Sequence, residues 1–364
     1  MFTRILVPLD GSLLAEQAIP HAEQFALIFG ATIVLLHILE PISHQKKPEP
    51  VDPLSWQIQK AESEMYIQGI AARIRENLKK ISNELGIKKK FKVEYAVREG
   101  KSAENIVDFA HDENIDLLII CSHGSGGLSR WNISSVIQKV INLIYLPVLI
   151  IRAFNQTVID EIHFNYKGIL LPIDSSKRAE CSLSAGIELA RGELALSQSM
   201  KNIDSPTTPL HQAPLPFTPA VERTVHIPPK LILAAVIKPP EIPIPEPYPD
   251  EIRRLSDKLM RVSREIVVNY LEEMKERLPV ECETCVIENN SVSSAIQDLA
   301  NREDIDLVVL CAHGYTGEFA WPYGSVARNY IEHGIKPVLI IQDVPRSRVR
   351  LSAVEIAAVK TGSR

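Results

Sequence analysis

ENIDLLIICSHG (residues 113–124) returns, substituted but in register, as EDIDLVVLCAHG (residues 303–314). Each copy is an unbroken apolar run of strand length that ends in a cysteine and a His-Gly turn. Such a run marks a strand buried on both faces, which points to a parallel sheet covered by helices. The repetition extends outward. ILVPLDGSLLAEQAI from Ile5 matches ILLPIDSSKRAECSL from Ile169, and YLPVLIIR ending at Arg152 matches IKPVLIIQ ending at Gln342. The chain contains one unit twice.

The register locates a difference between the copies. Asp10 pairs with Asp174 at an offset of 164, whereas Gly124 pairs with Gly314 at an offset of 190, so the second copy is 26 residues longer in its front half. The excess is expected at 194–229, where seven prolines deny regular hydrogen bonding and favour an extended loop. A loop of that length is either disordered or a docking segment for a partner.

Within the first copy, strand and helix patterns alternate. Strands are expected at ILVPLD, ATIVLLHIL, FKVEYAV, IDLLIIC and PVLIIR. Helices are expected at LLAEQAIPHAEQFALIF, stopped by Gly30, at the long amphipathic stretch from Trp56, closed by Gly86, at SAENIVDFAHDEN, and at SSVIQKVINLI. In an open parallel sheet, ligands sit at the carboxyl ends of strands where the strand order reverses. Asp10 and Asp174 end their first strands, and the His-Gly loops follow the fourth, so both converge on one crevice per copy.

Bulk properties narrow the function classes. The 364 residues are 45% hydrophobic and 23% charged, with net charge −5 and pI about 6.1, so no global basic field favours nucleic acid or anionic lipid. No apolar stretch approaches the roughly 20 residues that span a bilayer. MFTRILVPLDGS enters a strand at once, so no secretory leader is expected and the cytoplasm is the expected location. Five cysteines, an odd number, argue against a disulfide scaffold. Cys282 and Cys285 form a C-x-x-C, but VECETCVI reads as a strand, which sends the two thiols to opposite faces.

A glycine-rich turn between strand and helix offers backbone N–H groups and a positive helix end, which suit phosphate. Neither loop is a Walker A motif, since no Gly-Lys-Ser/Thr follows, and the first turn lacks the dinucleotide fingerprint G-x-G-x-x-G. His123 and His313 lie in the loops. With no partner nucleophile in view, they are read as structural hydrogen-bonding groups rather than general bases.

The P-[LI]-D-[GS]-S start, the S/A-H-G loop, the Ser-led helix after it and the closing P-V-L-I-I strand together resemble the universal stress proteins. The resemblance covers about 1–153 and 165–345, with a tail at 346–364. It implies an α/β chain of two tandem open five-stranded parallel-sheet domains, Rossmann-like and of the adenine nucleotide alpha hydrolase type, packed as an intramolecular pseudo-dimer. In the nucleotide-binding branch the phosphate motif reads G-x2-G-x9-G-[ST]. The second copy supplies Cys311, Gly314, Gly324 and Ser325; the first supplies Cys121, Gly124, Ser134 and Ser135. Both replace the first glycine with cysteine, and the first also replaces the third with serine.

By this resemblance the second copy would hold ATP, with or without Mg2+, through Pro172, Ile173, Asp174, Val236, Cys311, Gly314, Gly324, Ser325 and Val326. Asp10, Ile38, Cys121, Gly124, Ser134 and Ser135 would form the lesser site of the first copy. Asp10 and Asp174 would meet ribose or a phosphate-bound metal, and Ile38 and Val236 the adenine. The function expected is a stress module that binds adenine nucleotide without efficient turnover, with no catalytic residue. A further copy or another protein would be its partner, and neither nucleic acid nor membrane is expected. The alternative is a scaffold that binds no nucleotide and recruits partners through 194–229 and the basic tail from Pro345. A third and weaker reading is hydrolysis, which needs a positioned water and charge stabilisation; Arg130 and Arg328 are the available cations, and both are read as solvated.

Overall fold

The computed structural model describes residues 1–40, 53–123, 133–152, 165–203, 229–315 and 322–343. In the first half, β1 (Arg4–Leu9), β2 (Thr32–Leu39), β3 (Val93–Glu99), β4 (Leu117–Cys121) and β5 (Val148–Ile151) alternate with helices. These are α1 (Leu13–Glu16), α2 (Ala18–Phe29), α3 (Pro53–Glu84), α4 (Ser102–Asp112) and α5 (Ser135–Leu143). The second half repeats the plan with β6 (Gly168–Pro172), α6 (Cys181–Ile203), β7 (Lys230–Ile237), α7 (Asp250–Arg277) and β8 (Cys282–Glu288). It closes with α8 (Val292–Ala300), β9 (Leu307–Cys311), α9 (Ser325–His333) and β10 (Val338–Ile341).

The ten strands form one sheet in the order β3-β2-β1-β4-β5-β10-β9-β6-β7-β8. All neighbours run parallel except β5 and β10, which pair antiparallel with Leu149 opposite Leu339. The pseudo-dimer is therefore a continuous sheet with a two-fold seam at its centre. Two apolar cores cover its faces. One gathers α1, α2, α3, α6 and α7, the other α4, α5, α8 and α9. Leu149 and Leu339 are fully buried, and each contributes about 1.5–3 kcal/mol by leaving water.

Sequence differences from the expected pattern have local causes. The first helix is broken at Gln17, because Pro20 has no N–H to give the Glu16 carbonyl and its ring crowds that turn. Gly30 stops α2 in a left-handed conformation at φ 67°, as its place predicts. The aligned residue of the second half is Leu194, so the stop is lost and α6 runs on to Ile203. Its last ten residues thus enter the stretch expected to be irregular, since the first proline there is Pro206. The remainder, 204–228, lies outside the described residues. Cys282 and Cys285 face opposite cores from β8, as the strand reading requires.

The halves also meet through helices. Gly192 of α6 lies against Ile28 of α2, where a Cβ would overlap the Ile28 side chain, so glycine sets how closely the two helices approach. Beside this contact Tyr166 and His21 share a hydrogen bond of 2.7 Å, and Tyr166 donates its N–H to the buried Glu193 carboxyl at 3.1 Å.

Candidate functional site at the strand ends

In each half the strand order reverses between the first and fourth strands, the place at the carboxyl end where a parallel sheet takes its ligands. The turns after β1 and β6 are built alike. Asp10 accepts the Ser12 N–H at 3.0 Å, and the Ser12 hydroxyl accepts the Ala15 N–H at 3.1 Å. Asp174 accepts the Ser176 N–H at 3.0 Å, and the Ser176 hydroxyl accepts the Ala179 N–H at 3.1 Å. Both aspartates are exposed, so each turn presents a carboxylate to the crevice.

In the first half the crevice is a cavity of about 430 Å3, within the roughly 300–1,000 Å3 usual for small ligands. Asp10, Ile38, Cys121, Ser134 and Ser135 all line it, which brings together every described candidate of that copy; Gly124 lies outside the described residues. Its floor is apolar, from Leu36 and Ile120, and Glu40 and His123 add polar groups. Glu40 accepts the Ser102 N–H at 2.7 Å, and its bonds from Ser102 hold its carboxyl below the usual range. At the far side, the Ser134 hydroxyl accepts the Ile137 N–H at 3.3 Å and so caps α5. One of the helix-start amides that a phosphate would use is already engaged.

The second half differs at that point. Gly324 starts α9 with no side-chain cap, so the Ala327 amide, the counterpart of Ile137, meets no hydroxyl acceptor from residue 324. The Gly324 N–H itself reaches the Ala312 carbonyl at 2.8 Å, as Ser134 reaches Ser122 at 3.1 Å. A Cβ at Gly324 would stand at ordinary contact, 3.4 Å from the Ala312 oxygen, so the position tolerates serine and the difference is chemical rather than steric. Gly314 is different. A Cβ there would overlap the Asp174 carboxylate, which accepts the Tyr315 N–H. Asp174 therefore ties the turn after β6 to the loop after β9. Ile173 is buried and donates its N–H to the Ala234 carbonyl at 2.8 Å, which sets Pro172, Ile173 and the end of β7 with Val236 side by side.

Three further groups of this crevice were not legible in the sequence. Asp343 accepts from His313 Nδ1 at 2.7 Å and from Arg178 Nε at 2.7 Å. Burial pushes the Asp343 carboxyl up, but the bonds from His313 and Arg178 outweigh it and hold the group low. His313 is 4% exposed and serves this network, so its role is structural. The partner it bonds is the residue just past the closing strand rather than its own loop. The third group is Cys181, whose sulfur lies 2.8 Å from that of Cys311. No spacing in the sequence brings these residues together. In contrast, Asp306 and Asp116, which bind the N–H groups at the starts of β6 and β1, recur in the duplicated Ile-Asp-Leu and were visible as a repeat.

A larger cavity of about 1,200 Å3 opens at the amino ends of β7 and β8, next to Lys230 and Cys282, away from the ligand end of a parallel sheet. Among the described residues no three His, Cys, Asp or Glu side chains cluster as a metal site, and no helix is long and apolar enough to cross a membrane.

The model of the universal stress protein family matches residues 1–152 and 217–342. The chain belongs to the universal stress protein family. The second match begins beyond α6, so Asp174 and Cys181 fall outside it. A universal stress protein of Methanocaldococcus jannaschii is 30% identical over 162 residues, 43% of this chain and 98% of the relative. A solved universal stress protein from Archaeoglobus fulgidus shares the fold across both halves, with a TM-score of 0.54 at 14% identity over 94% of this chain and 98% of that one. Another solved member, 20% identical over 42% of this chain and 98% of its own with a TM-score of 0.30, was determined in complex with cAMP.

Proposed function

We propose that this universal stress protein binds an adenine nucleotide in the crevice of its second half and acts as a stress-response module without efficient turnover. The observation that carries the reading is the uncapped start of α9 at the switch point of the sheet, beside Gly314 and Asp174. Helix N-termini with unspent amides favour phosphate through both hydrogen bonds and the helix dipole. Ser325 and Val326 would supply the donors, Asp174 a hydroxyl acceptor for ribose, and the segment from Pro172 and Ile173 to Val236 the apolar contact for the base. A divalent cation, if bound, would rest mainly on the phosphates, with Asp174 as its one carboxylate of this set. His313 bonds Asp343, which Arg178 also binds, and this supports binding without hydrolysis by that histidine.

The first-half cavity supports a second, weaker site. It gathers Asp10, Ile38, Cys121 and Ser135, but two carboxylates rim it and Ser134 caps the helix that phosphate would meet. The alternative of partner recruitment rests on 194–229, of which 204–228 lies outside the described residues, and on the tail from Pro345, which also lies outside them.

The test is calorimetric titration of the full chain with ATP, paired with native mass spectrometry of the purified protein. Saturable binding weakened about 10- to 100-fold in Ser325→Pro and kept in Ser135→Pro supports the second-half site. Proline fits the first helical position and removes only one amide and a hydroxyl, so the fold is preserved. No heat and no bound nucleotide in the unaltered protein overturns the reading.

A further inference from the structure

Cys181 opens α6 and Cys311 ends β9, and their sulfurs stand 2.8 Å apart, well inside the contact distance of two sulfur atoms. Both are free thiols. They sit on two ends of regular structure that wall the second crevice, beside the turn carrying Asp174 and the loop carrying Gly314. Cys181 is half-buried and Cys311 is 9% exposed, so a small oxidant reaches the first more readily than the second. The first half has no counterpart. There Gln17 occupies the place of Cys181, and Cys121 spends its thiol on the Ala15 carbonyl at 3.5 Å.

We propose that Cys181 and Cys311 are a redox modification site, forming a reversible disulfide across the second crevice in response to hydroperoxides. The Cys181 sulfur attacks the terminal oxygen of a hydroperoxide. The O–O bond breaks, an alcohol (or water, from hydrogen peroxide) leaves with one proton, and Cys181 becomes a sulfenic acid. The Cys311 sulfur then attacks the Cys181 sulfur, the S–O bond breaks, and water carries off the remaining oxygen with the Cys311 proton. Two thiols lose two electrons in total and the peroxide gains them. A dithiol reductant returns two electrons and two protons by exchange through a mixed disulfide.

The surroundings set the character of this site. The bond to Cys311, then burial, then the Asp343 charge push the Cys181 thiol up, while Arg178 pulls it back. The thiolate is the attacking form, so reaction at neutral pH is slow and accelerates as pH rises. That is the behaviour of a pair answering to sustained oxidant rather than to trace peroxide. Once formed, the bond joins residues 130 apart in sequence and fixes the start of α6 to the end of β9. The inference stands on the thiol geometry and holds with or without a nucleotide in the crevice.

The test uses the full chain, reduced, freed of reductant, and treated with hydrogen peroxide across pH 7 to 9. Thiols are counted in denaturant, and linked peptides are mapped by mass spectrometry without reduction. The five cysteines should fall to three titratable thiols, with the peptides of Cys181 and Cys311 joined, and dithiothreitol should restore all five. Cys181→Ser should keep its remaining thiols under the same treatment. It lies on the first helical turn, where serine is well accommodated, so this variant keeps the test sound if Cys311→Ser does not fold. Five thiols after peroxide, linkage of a different pair such as Cys282 with Cys285, or disulfides formed only between chains would each overturn the proposal.

Discussion

The two halves share a strand order and differ in what they place at equivalent points. The aligned positions of Tyr166 and Glu193 are Phe2 and Phe29 in the first half, where the rings meet edge to face at 5.2 Å between centroids. The first half thus fills this corner with aromatics, and the second with a buried polar network that reaches His21 across the seam. A second contrast lies at the crevice, where the first helix start is capped by Ser134 and the second is left open by Gly324. A third is the seam itself. Arg152 donates to the carbonyls of Tyr330 and Ile331 at 2.7 Å each, in the last turn of α9, whereas Gln342 at the matching place has no guanidinium to return. Duplication preserved the layers and let polar chemistry diverge.

The largest effect is expected at the buried acid. Burial raises the Glu193 carboxyl to about 8, against the bond from the Tyr166 N–H and that of Gln24, and with Asp306 adding to the rise. The folded chain keeps a proton there that the unfolded chain releases near 4.5. Between those values the folded state binds more protons, so stability falls as pH rises through the window. Glu23, raised to about 7 by burial, acts in the same sense. His21 is lowered by burial to about 3, so its contribution is lost in the other direction, as pH falls below 6.5. Two raised carboxyls outweigh one lowered histidine above pH 4.5, so from these groups stability should peak near pH 4.5 and fall as pH rises beyond it. Glu193→Gln should gain about 2–4 kcal/mol at pH 9 and little at pH 5, read by urea denaturation. A pH-independent difference would show that the corner is not the acid it is taken to be.

Removing the one-way bond across the seam comes next. Arg152→Ala takes a charged donor from helix-end carbonyls and should cost about 1.5–3 kcal/mol, measured the same way. An effect confined to the first half, seen as unchanged hydrogen exchange in α9, would break the link between the halves. At the crevice, Ser325→Pro should weaken ATP roughly 10- to 100-fold through one lost charge-assisted bond of about 1.5–3 kcal/mol, with Ser135→Pro unchanged. Equal losses would make the two sites equivalent. The smallest effect is Ser134→Ala, which removes the cap of α5 for about 1 kcal/mol of stability. If the cap is what weakens the first site, Ser134→Gly should improve nucleotide binding there while costing only a few tenths of a kcal/mol of stability.

The fold was legible because duplicated apolar strands admit few other arrangements, and each copy vouched for the other. The Gly30 stop and the opposed faces of Cys282 and Cys285 followed from local rules. What escaped reading were contacts that only the sheet creates. Asp343 meets Arg178 over 165 residues and Cys311 meets Cys181 over 130, and nothing in either neighbourhood announces the other. The start of the second-copy loop was not legible, because the stop signal Gly30 had become Leu194 and the helix simply continued.

The antiparallel join of β5 to β10 has a consequence for descent. In a homodimer of single units, every substitution appears on both sides of the axis and must be acceptable in both. Here the axis lies inside one polypeptide, so a mutation falls on one side only. Glu193 without a second Glu193, and a thiol pair facing one crevice but not its twin, are changes that such a fusion permits one at a time.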